Sequence, residues 1–408
     1  MWSGYVKGWE VTLLDAVAVG LILGTHGRWP RLTLTIPILA YLTAVVIAVH
    51  QARFGSFAIS YVFQLVRVLF VFLAVSRVVE REQGERAVLT GLVVGLTVQA
   101  AYAILARASG ILQSGGSLGH QNLLGFVSHL VILPAFAMLL ARRWHWVAWI
   151  GMLAGIIAVI LTVSRAALVF SMIGLALTLV ISITGRFTAR KALVGMVSIL
   201  LLASIYPLAR SGLERRFELQ RTTFFAEDKE RDAFERAALA MLAANPNGVG
   251  PNHYVFIANT EGFSSRAGVS WASGSRSTNV HNSFLLVAAE TGYLGVLTMI
   301  LLLSSAVWRA LSTARRFRRQ PGAEVLIGVG CGILALSLHG LYEWMFVALP
   351  AQYLLAVSFG LISGLRSRFL RHAVGSSYRA RAIRQARGEY VPDIQIRGID
   401  GNTSPSQN

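Results

Sequence analysis

The chain has 408 residues, 55% of them hydrophobic and only 14% charged, where a soluble domain averages about 25% charged. A charge at the centre of a spanning helix costs about 2.5–3.5 kcal/mol on insertion scales, so this deficit marks repeated bilayer spans rather than two or three soluble domains. The net charge of +18, from 37 Lys and Arg against 19 Asp and Glu, sits mostly in short inter-helix loops and the C-terminal region, which fits the positive-inside bias and disfavours a nucleic-acid role.

A crossing helix needs about 20 apolar residues. Taken in chain order, the apolar segments predict spans near 11–25, 33–50, 56–78, 87–106, 121–141, 144–163, 165–184, 192–208, 283–308, 325–345 and 349–366. No basic n-region or cleavage site marks a signal peptide, so the first span is expected to stay in the membrane. The reading is an all-α integral membrane protein of about eleven transmembrane helices, within a range of about ten to twelve. Its parts are helices one to eight in 1–208, a large periplasmic loop domain in 209–282, helices nine to eleven in 283–366, and a basic cytoplasmic tail in 367–408. One cysteine, Cys331, excludes an intrachain disulfide and a cysteine-based zinc site.

Loop charge sets the orientation. Arg28 and Arg31, Arg81 and Arg86, Arg142 and Arg143, Arg186, Arg190 and Lys191, and the run from Arg309 to Arg319 all follow or precede spans so that eleven helices put them on one side, with the arginines of the tail. That side is expected to be cytoplasmic, which puts 209–282 outside. Within it, 226–243 (AEDKERDAFERAALAMLA) reads as an amphipathic helix with Phe234, Leu239 and Leu242 toward one side. Asn245-Pro246-Asn247-Gly248 stops it with turn chemistry. From about 373 the tail is polar and Arg-rich, expected to be disordered or to lie on anionic headgroups.

Four places on the outer side could carry chemistry. Ser164-Arg165 interrupts the apolar stretch ILTVSRAALVF; the arginine either snorkels at a helix end or clamps an anion with its fork. The loop Gly116-Ser117-Leu118-Gly119-His120-Gln121-Asn122 runs into a span, as a plain turn and cap or as backbone N–H groups offered to an anion. Arg231 and Arg236 lie on the loop helix among acidic neighbours and precede Pro246-Asn247-Gly248-Val249-Gly250-Pro251-Asn252; a solvated face competes with a binding role. Val280-His281-Asn282-Ser283 stands at the mouth of a span, where a histidine could take a proton from a hydroxyl or simply be structural. His339 and Glu343, at i and i+4, are expected to form a hydrogen-bonded packing pair on one helix face. No P-loop, HExxH or acidic DxD-like pair is present, which disfavours ATP-driven transport and a metal-dependent sugar-nucleotide enzyme.

Four stretches in this order, SLGHQNLLG at 117–125, LTVSRAAL at 161–168, ERDAFERAALAMLAANPNGVGPNHY at 230–254 and VHNSFLLVAAETGYLG at 280–295, resemble the O-antigen ligase/O-antigen polymerase superfamily of bacterial membrane glycosyltransferases. The resemblance covers the C-terminal two-thirds of the chain. It implies a fold like the C-type membrane glycosyltransferases, an inner-membrane location, and an active site facing the periplasm. It also implies an undecaprenyl-pyrophosphate-linked glycan as donor, a lipid A-core or other glycan as acceptor, and no metal or cofactor. Family arginines that bind the pyrophosphate map onto Arg165 and Arg231, and the essential loop histidine maps onto His281. Arg236, His120, Asn122, Asn282 and Ser164 are the expected substrate-binding residues around them. A polymerase using the same donor is the nearest alternative. A lipid-linked oligosaccharide flippase is the rival from another class, against which stand the lack of repeated halves and the polar residues gathered in one loop.

Overall fold

The computed structural model describes residues 5–6, 8–27, 29–219, 221–320 and 322–386, and every regular element among them is helical. The first eight helices are α1 (Leu13–Gly24), α2 (Thr35–Val49), α3 (Gly55–Glu80), α4 (Gly84–Ala108), α5 (Gln121–Leu140), α6 (His145–Thr162), α7 (Arg165–Gly185) and α8 (Ala189–Leu219). A connecting segment holds α9 (Arg221–Ala244), α10 (Tyr254–Thr260), α11 (Phe263–Arg266) and α12 (Ser273–Arg276). The chain returns as α13 (Ser283–Arg316), α14 (Ala323–His339) and α15 (Leu349–Ala386). Each of the eleven expected spans falls on a helix. Six of these, α3, α4, α5, α7, α13 and α15, are long and apolar enough to cross a membrane, while α1, α2, α6 and α14 are apolar but shorter. α8 continues past 208 to Leu219, so the helix expected to end at the loop runs on into it.

The chain divides into two compact units, 1–367 and 368–408. In the first, α5 is the axis. It is apolar on all sides, and every residue from Leu123 to Leu140 is buried, as a helix without a polar stripe must be. α4, α6, α7 and α14 pack around it. Small residues let the backbones approach: a Cβ on Gly155 would lie 2.1 Å from Ile132, and one on Gly328 would lie 2.5 Å from the Leu133 carbonyl. Close packing of this kind substitutes for the hydrophobic drive that lipid does not supply between helices. In the second unit, α15 stays helical to Ala386, where a polar tail, disordered or lying on anionic headgroups, was expected from about 373. Ala and Arg, both good helix formers, recur through 379–386 and account for the continuation. The tail beyond 386, like Arg28, lies outside the described residues.

The two ends of the bundle differ in chemistry. At one end basic loop residues meet acids and carbonyls: Arg143 pairs with Glu85 at 2.5 Å, Lys191 with Glu324 at 2.6 Å, and Arg190 donates to the Leu139 carbonyl at 3.1 Å. At the other end stand the N-termini of α5, α7 and α13 and the C-terminus of α14, with the connecting segment docked against α13.

That docking depends on a break in α13. Gly292 has φ 69° and ψ −172°, a region that glycine alone occupies without strain. The break frees the carbonyls of Ala289 and Glu290, which accept from Val249 N at 3.0 Å and Gly250 N at 2.9 Å; Tyr293 N donates back to Pro246 O at 3.1 Å. A Cβ on Gly292 would stand 2.4 Å from the Pro246 carbonyl, and one on Gly248 2.3 Å from that of Glu290. The turn PNGVGP is thus a docking strip, and its glycines are there because two backbones touch.

Two expectations are corrected. α14 ends at His339, not near 345; a Cβ on Gly340 would lie 2.4 Å from the Phe346 ring, so only glycine fits beside it. His339 and Glu343 therefore share no helix face and form no pair: His339 Nδ1 meets His129 Nε2 at 3.0 Å in the bundle core. On α9 the buried stripe is Ala233, Phe234, Ala237, Ala238, Met241 and Leu242, and Leu239 is 52% exposed. Five residues carry Leu239 about 140° around the helix from Phe234, off the stripe.

Candidate active site

Three helix N-termini are capped by the residues that the sequence singles out. The His120 imidazole accepts the Asn122 N–H at 3.2 Å and caps α5. Ser164 caps α7, accepting from Ala167 N at 3.4 Å. Asn282 caps α13, its Oδ1 accepting from Phe284 N at 3.0 Å and Leu285 N at 3.2 Å. The first turns of α5 and α7 touch, since a Cβ on Gly125 would lie 2.6 Å from that of Ala167. Each N-terminus carries about half a positive charge, so this end of the bundle favours an anion.

Arg165 is the first residue of α7 and is exposed. Val163 before it is held at φ 51° and ψ 33°, the left-handed region, which a β-branched residue enters only at a cost of about 1–3 kcal/mol. That bend ends α6 and starts α7 two residues later, fixing where the guanidinium leaves the backbone.

The centre of the site is Glu343, which is 2% exposed. Asn122 Nδ2 donates to its Oε1 at 2.5 Å. His281 Nδ1 stands 3.4 Å from its Oε2, and Arg231 Nη2 stands 3.8 Å from its Oε1. The Ser283 hydroxyl and N–H both donate to the Glu343 carbonyl, at 2.5 Å and 3.1 Å, tying it to the start of α13. One buried carboxylate therefore gathers residues from α5, α9 and the entry to α13. His281 also lies against the Phe234 ring, with centroids 6.1 Å apart. Protein crowded round the His120 ring lowers its pKa by desolvation, which Glu343 opposes and His281 assists, so His120 is neutral at pH 7 and able to accept its capping bond.

Of the expected site residues, His281, Asn122 and Arg231 meet at Glu343, and His120 stands on the adjoining turn. Ser164 and Asn282 spend an oxygen on helix caps. Arg236 turns to the Ala267 carbonyl, donating at 3.0 Å. Glu343 itself was missed. Its signal was present, as a carboxylate just past the end of an apolar span and before the Pro350 of the next, but the i,i+4 spacing to His339 pointed elsewhere.

A second polar group anchors the segment. Glu290 accepts from the Tyr5 hydroxyl at 2.5 Å and Tyr254 N at 2.9 Å. Burial first, and then the Glu290 charge, push both phenols up in pKa, so Tyr5 keeps the proton that it donates. Asn252 Nδ2 donates to the Val6 carbonyl at 2.9 Å and its Oδ1 accepts from Val6 N at 3.1 Å. His253 Nε2 accepts from Phe54 N at 3.1 Å while Nδ1 stands 2.8 Å from the Pro251 carbonyl, a pattern that only the neutral Nδ1–H tautomer satisfies. Among the described residues no group of three or more His, Cys, Asp or Glu stands in metal-binding proximity.

No curated protein matches the chain. Members of the O-antigen ligase family are membrane glycosyltransferase-type enzymes, ligases or polymerases. Residues 150–300, which include Ser164, Arg165, Arg231, Arg236, His281 and Asn282, match the family model described as O-antigen ligase.

Proposed function

We propose that this protein is an O-antigen ligase-like inner-membrane glycosyltransferase that moves a glycan from undecaprenyl pyrophosphate to a lipid A-core or other sugar acceptor at the periplasmic face. The observation that carries the reading is the convergence of His281, Arg231 and Asn122 on buried Glu343, within a chain whose middle matches that family.

The geometry supports this chemistry. A carboxylate facing Nδ1 selects the Nδ1–H tautomer, which leaves the Nε2 lone pair of His281 to take a proton. The acceptor hydroxyl loses its proton to Nε2 as its oxygen bonds to the anomeric carbon, and the bond to the pyrophosphate oxygen breaks. Glu343 stabilises the imidazolium that results. Charge building on the leaving pyrophosphate meets Arg165, Arg231 and the N-terminus of α7. Direct displacement inverts the anomeric carbon.

A lateral cavity supports a lipid-linked donor. A lateral apolar cavity of about 320 Å³ runs between α4, α5 and α15, lined by Gly91, Leu96, Val131 and Leu354 and reaching Gln99 and Leu118 beside the loop that bears His120. A polymerase would use the same site with a second lipid-linked glycan as acceptor.

Arg165→Ala, Arg231→Ala and His281→Ala, expressed in cells lacking the native gene, test the reading. Loss of mature polysaccharide in each, at normal protein levels, is the expected result. Normal polysaccharide in all three overturns it. Deleting the gene separates the two enzyme readings: loss of a ligase leaves long lipid-linked polymer and bare core, and loss of a polymerase leaves single repeats on core.

A further inference from the structure

We infer that Trp271 is a stacking platform for sugar rings of the glycan at some distance from the reacting bond; this rests on the glycosyltransferase reading above. The indole is 80% exposed yet held in place. The Arg276 guanidinium carbon lies 3.9 Å from the ring centroid and covers one face. Arg276 is itself locked: Nε donates to the Ser270 carbonyl at 2.9 Å and Nη2 to the Val269 carbonyl at 2.9 Å, while Nη1 reaches Ser265 Oγ at 3.1 Å and Asn259 Oδ1 at 3.3 Å. Four acceptors on three surrounding segments fix the guanidinium, which stacks against one face of the ring and favours that placement of it. The other indole face is open.

A large exposed aromatic ring backed by a guanidinium suits one kind of ligand: a ring with an apolar C–H face and hydroxyls round its edge. The chain around it is polar, with Ser270, Ser273 and Ser275 beside the tryptophan in sequence and no acidic residue among 262–279. The same composition argues against a bilayer anchor. The nearby Phe263 and Val269 are buried, so the indole has no exposed apolar neighbours there to form the broad apolar face of an amphipathic anchor.

The platform is tied to the site by α9. Arg236 donates to the Ala267 carbonyl, four residues before Trp271. Arg231, on the same helix, reaches Glu343, and five residues separate them by about 7.5 Å along the axis. Arg236 therefore positions the segment that bears the platform.

The test compares two donors extracted from host cells, undecaprenyl pyrophosphate carrying a single repeat and the same lipid carrying polymer, with purified protein in nanodiscs. Trp271→Ala should raise KM for the polymer-bearing donor about tenfold, the loss of one aromatic stacking contact. KM for the single-repeat donor and both kcat values should stay unchanged. Trp271→Phe should retain most of the effect of the native ring. If the wild type uses both donors and Trp271→Ala leaves both KM values unchanged, or changes both equally, the platform is refuted while the glycosyltransferase reading stands. An equal change accompanied by a lower melting temperature in lipid identifies the indole as a membrane anchor instead. Failure of the wild type to use either donor refutes the parent reading, and the platform with it.

Discussion

Replacing Glu343 with glutamine changes one atom's chemistry at the point where the site converges. Glutamine keeps the volume of a side chain that is 2% exposed, and its carbonyl can still accept from Asn122, now at 2.5 Å. The group 3.4 Å from His281 Nδ1 then becomes an amide N–H. Nδ1 must accept from it, which puts the imidazole proton on Nε2 and removes the lone pair that deprotonates the acceptor. A positioned general base contributes about 10²–10⁴ in rate, and a loss of that size corresponds to about 2.7–5.4 kcal/mol at 1.36 kcal/mol per tenfold. The expected result for Glu343→Gln is a fall in kcat of that order, with KM for the lipid-linked donor changing by much less, because glutamine keeps the oxygen that Asn122 and Arg231 face and the main loss is of the base. The assay is glycan transfer by purified protein in nanodiscs, with folding checked by thermal melting. His281→Ala and the double variant should lose no more than Glu343→Gln alone by more than about tenfold, since residues acting as one unit are not additive. A Glu343→Gln protein with normal melting and kcat within threefold of wild type refutes the proposed role of the pair.

Gly292→Ala should cost about 1–3 kcal/mol from backbone strain alone, and more from a Cβ 2.4 Å from the Pro246 carbonyl; limited proteolysis within 245–282 should quicken while the rest of the bundle stays protected. His253 titrates below its ordinary range because burial disfavours its charge, against a smaller opposing effect of the Pro251 carbonyl. Its stabilising contribution is then complete above about pH 6.5 and lost as pH falls through the lowered value, so melting temperature should fall between neutral and acid pH more steeply in wild type than in His253→Gln. Phe234→Asp should undock α9 and abolish activity, whereas Leu239→Asp, at a position 52% exposed, should leave both melting and transfer near wild type.

Hydropathy located the helices, because each apolar segment had to be helical to satisfy its backbone away from water. It said less about their lengths: α14 stops at His339, several residues short of where the apolar run ends. The site was legible where function and local structure coincide. His120, Ser164 and Asn282 stand out in sequence since a polar residue before an apolar run is a cap, and caps bring the helix N-termini that an anion needs. Glu343 was hidden for the converse reason. Its partners Asn122, Arg231 and His281 are more than 60 residues away in the chain, while its nearest polar neighbour, His339, lies on a helix that Glu343 does not share. The break at Gly292 was likewise unreadable, since the strip that fills it, 246–250, comes from a separate stretch of chain.

The central claim is that this chain moves a glycan between lipid-linked or lipid-anchored substrates without transporting them. Purified protein in sealed vesicles, given undecaprenyl-pyrophosphate-linked glycan and a core acceptor on the same face with no ion gradient or nucleotide, measures both possibilities at once. The account predicts glycosylated acceptor and released undecaprenyl pyrophosphate, both lost in His281→Ala. Donor that crosses to the opposite leaflet with no new glycosidic product would contradict it and identify a flippase instead.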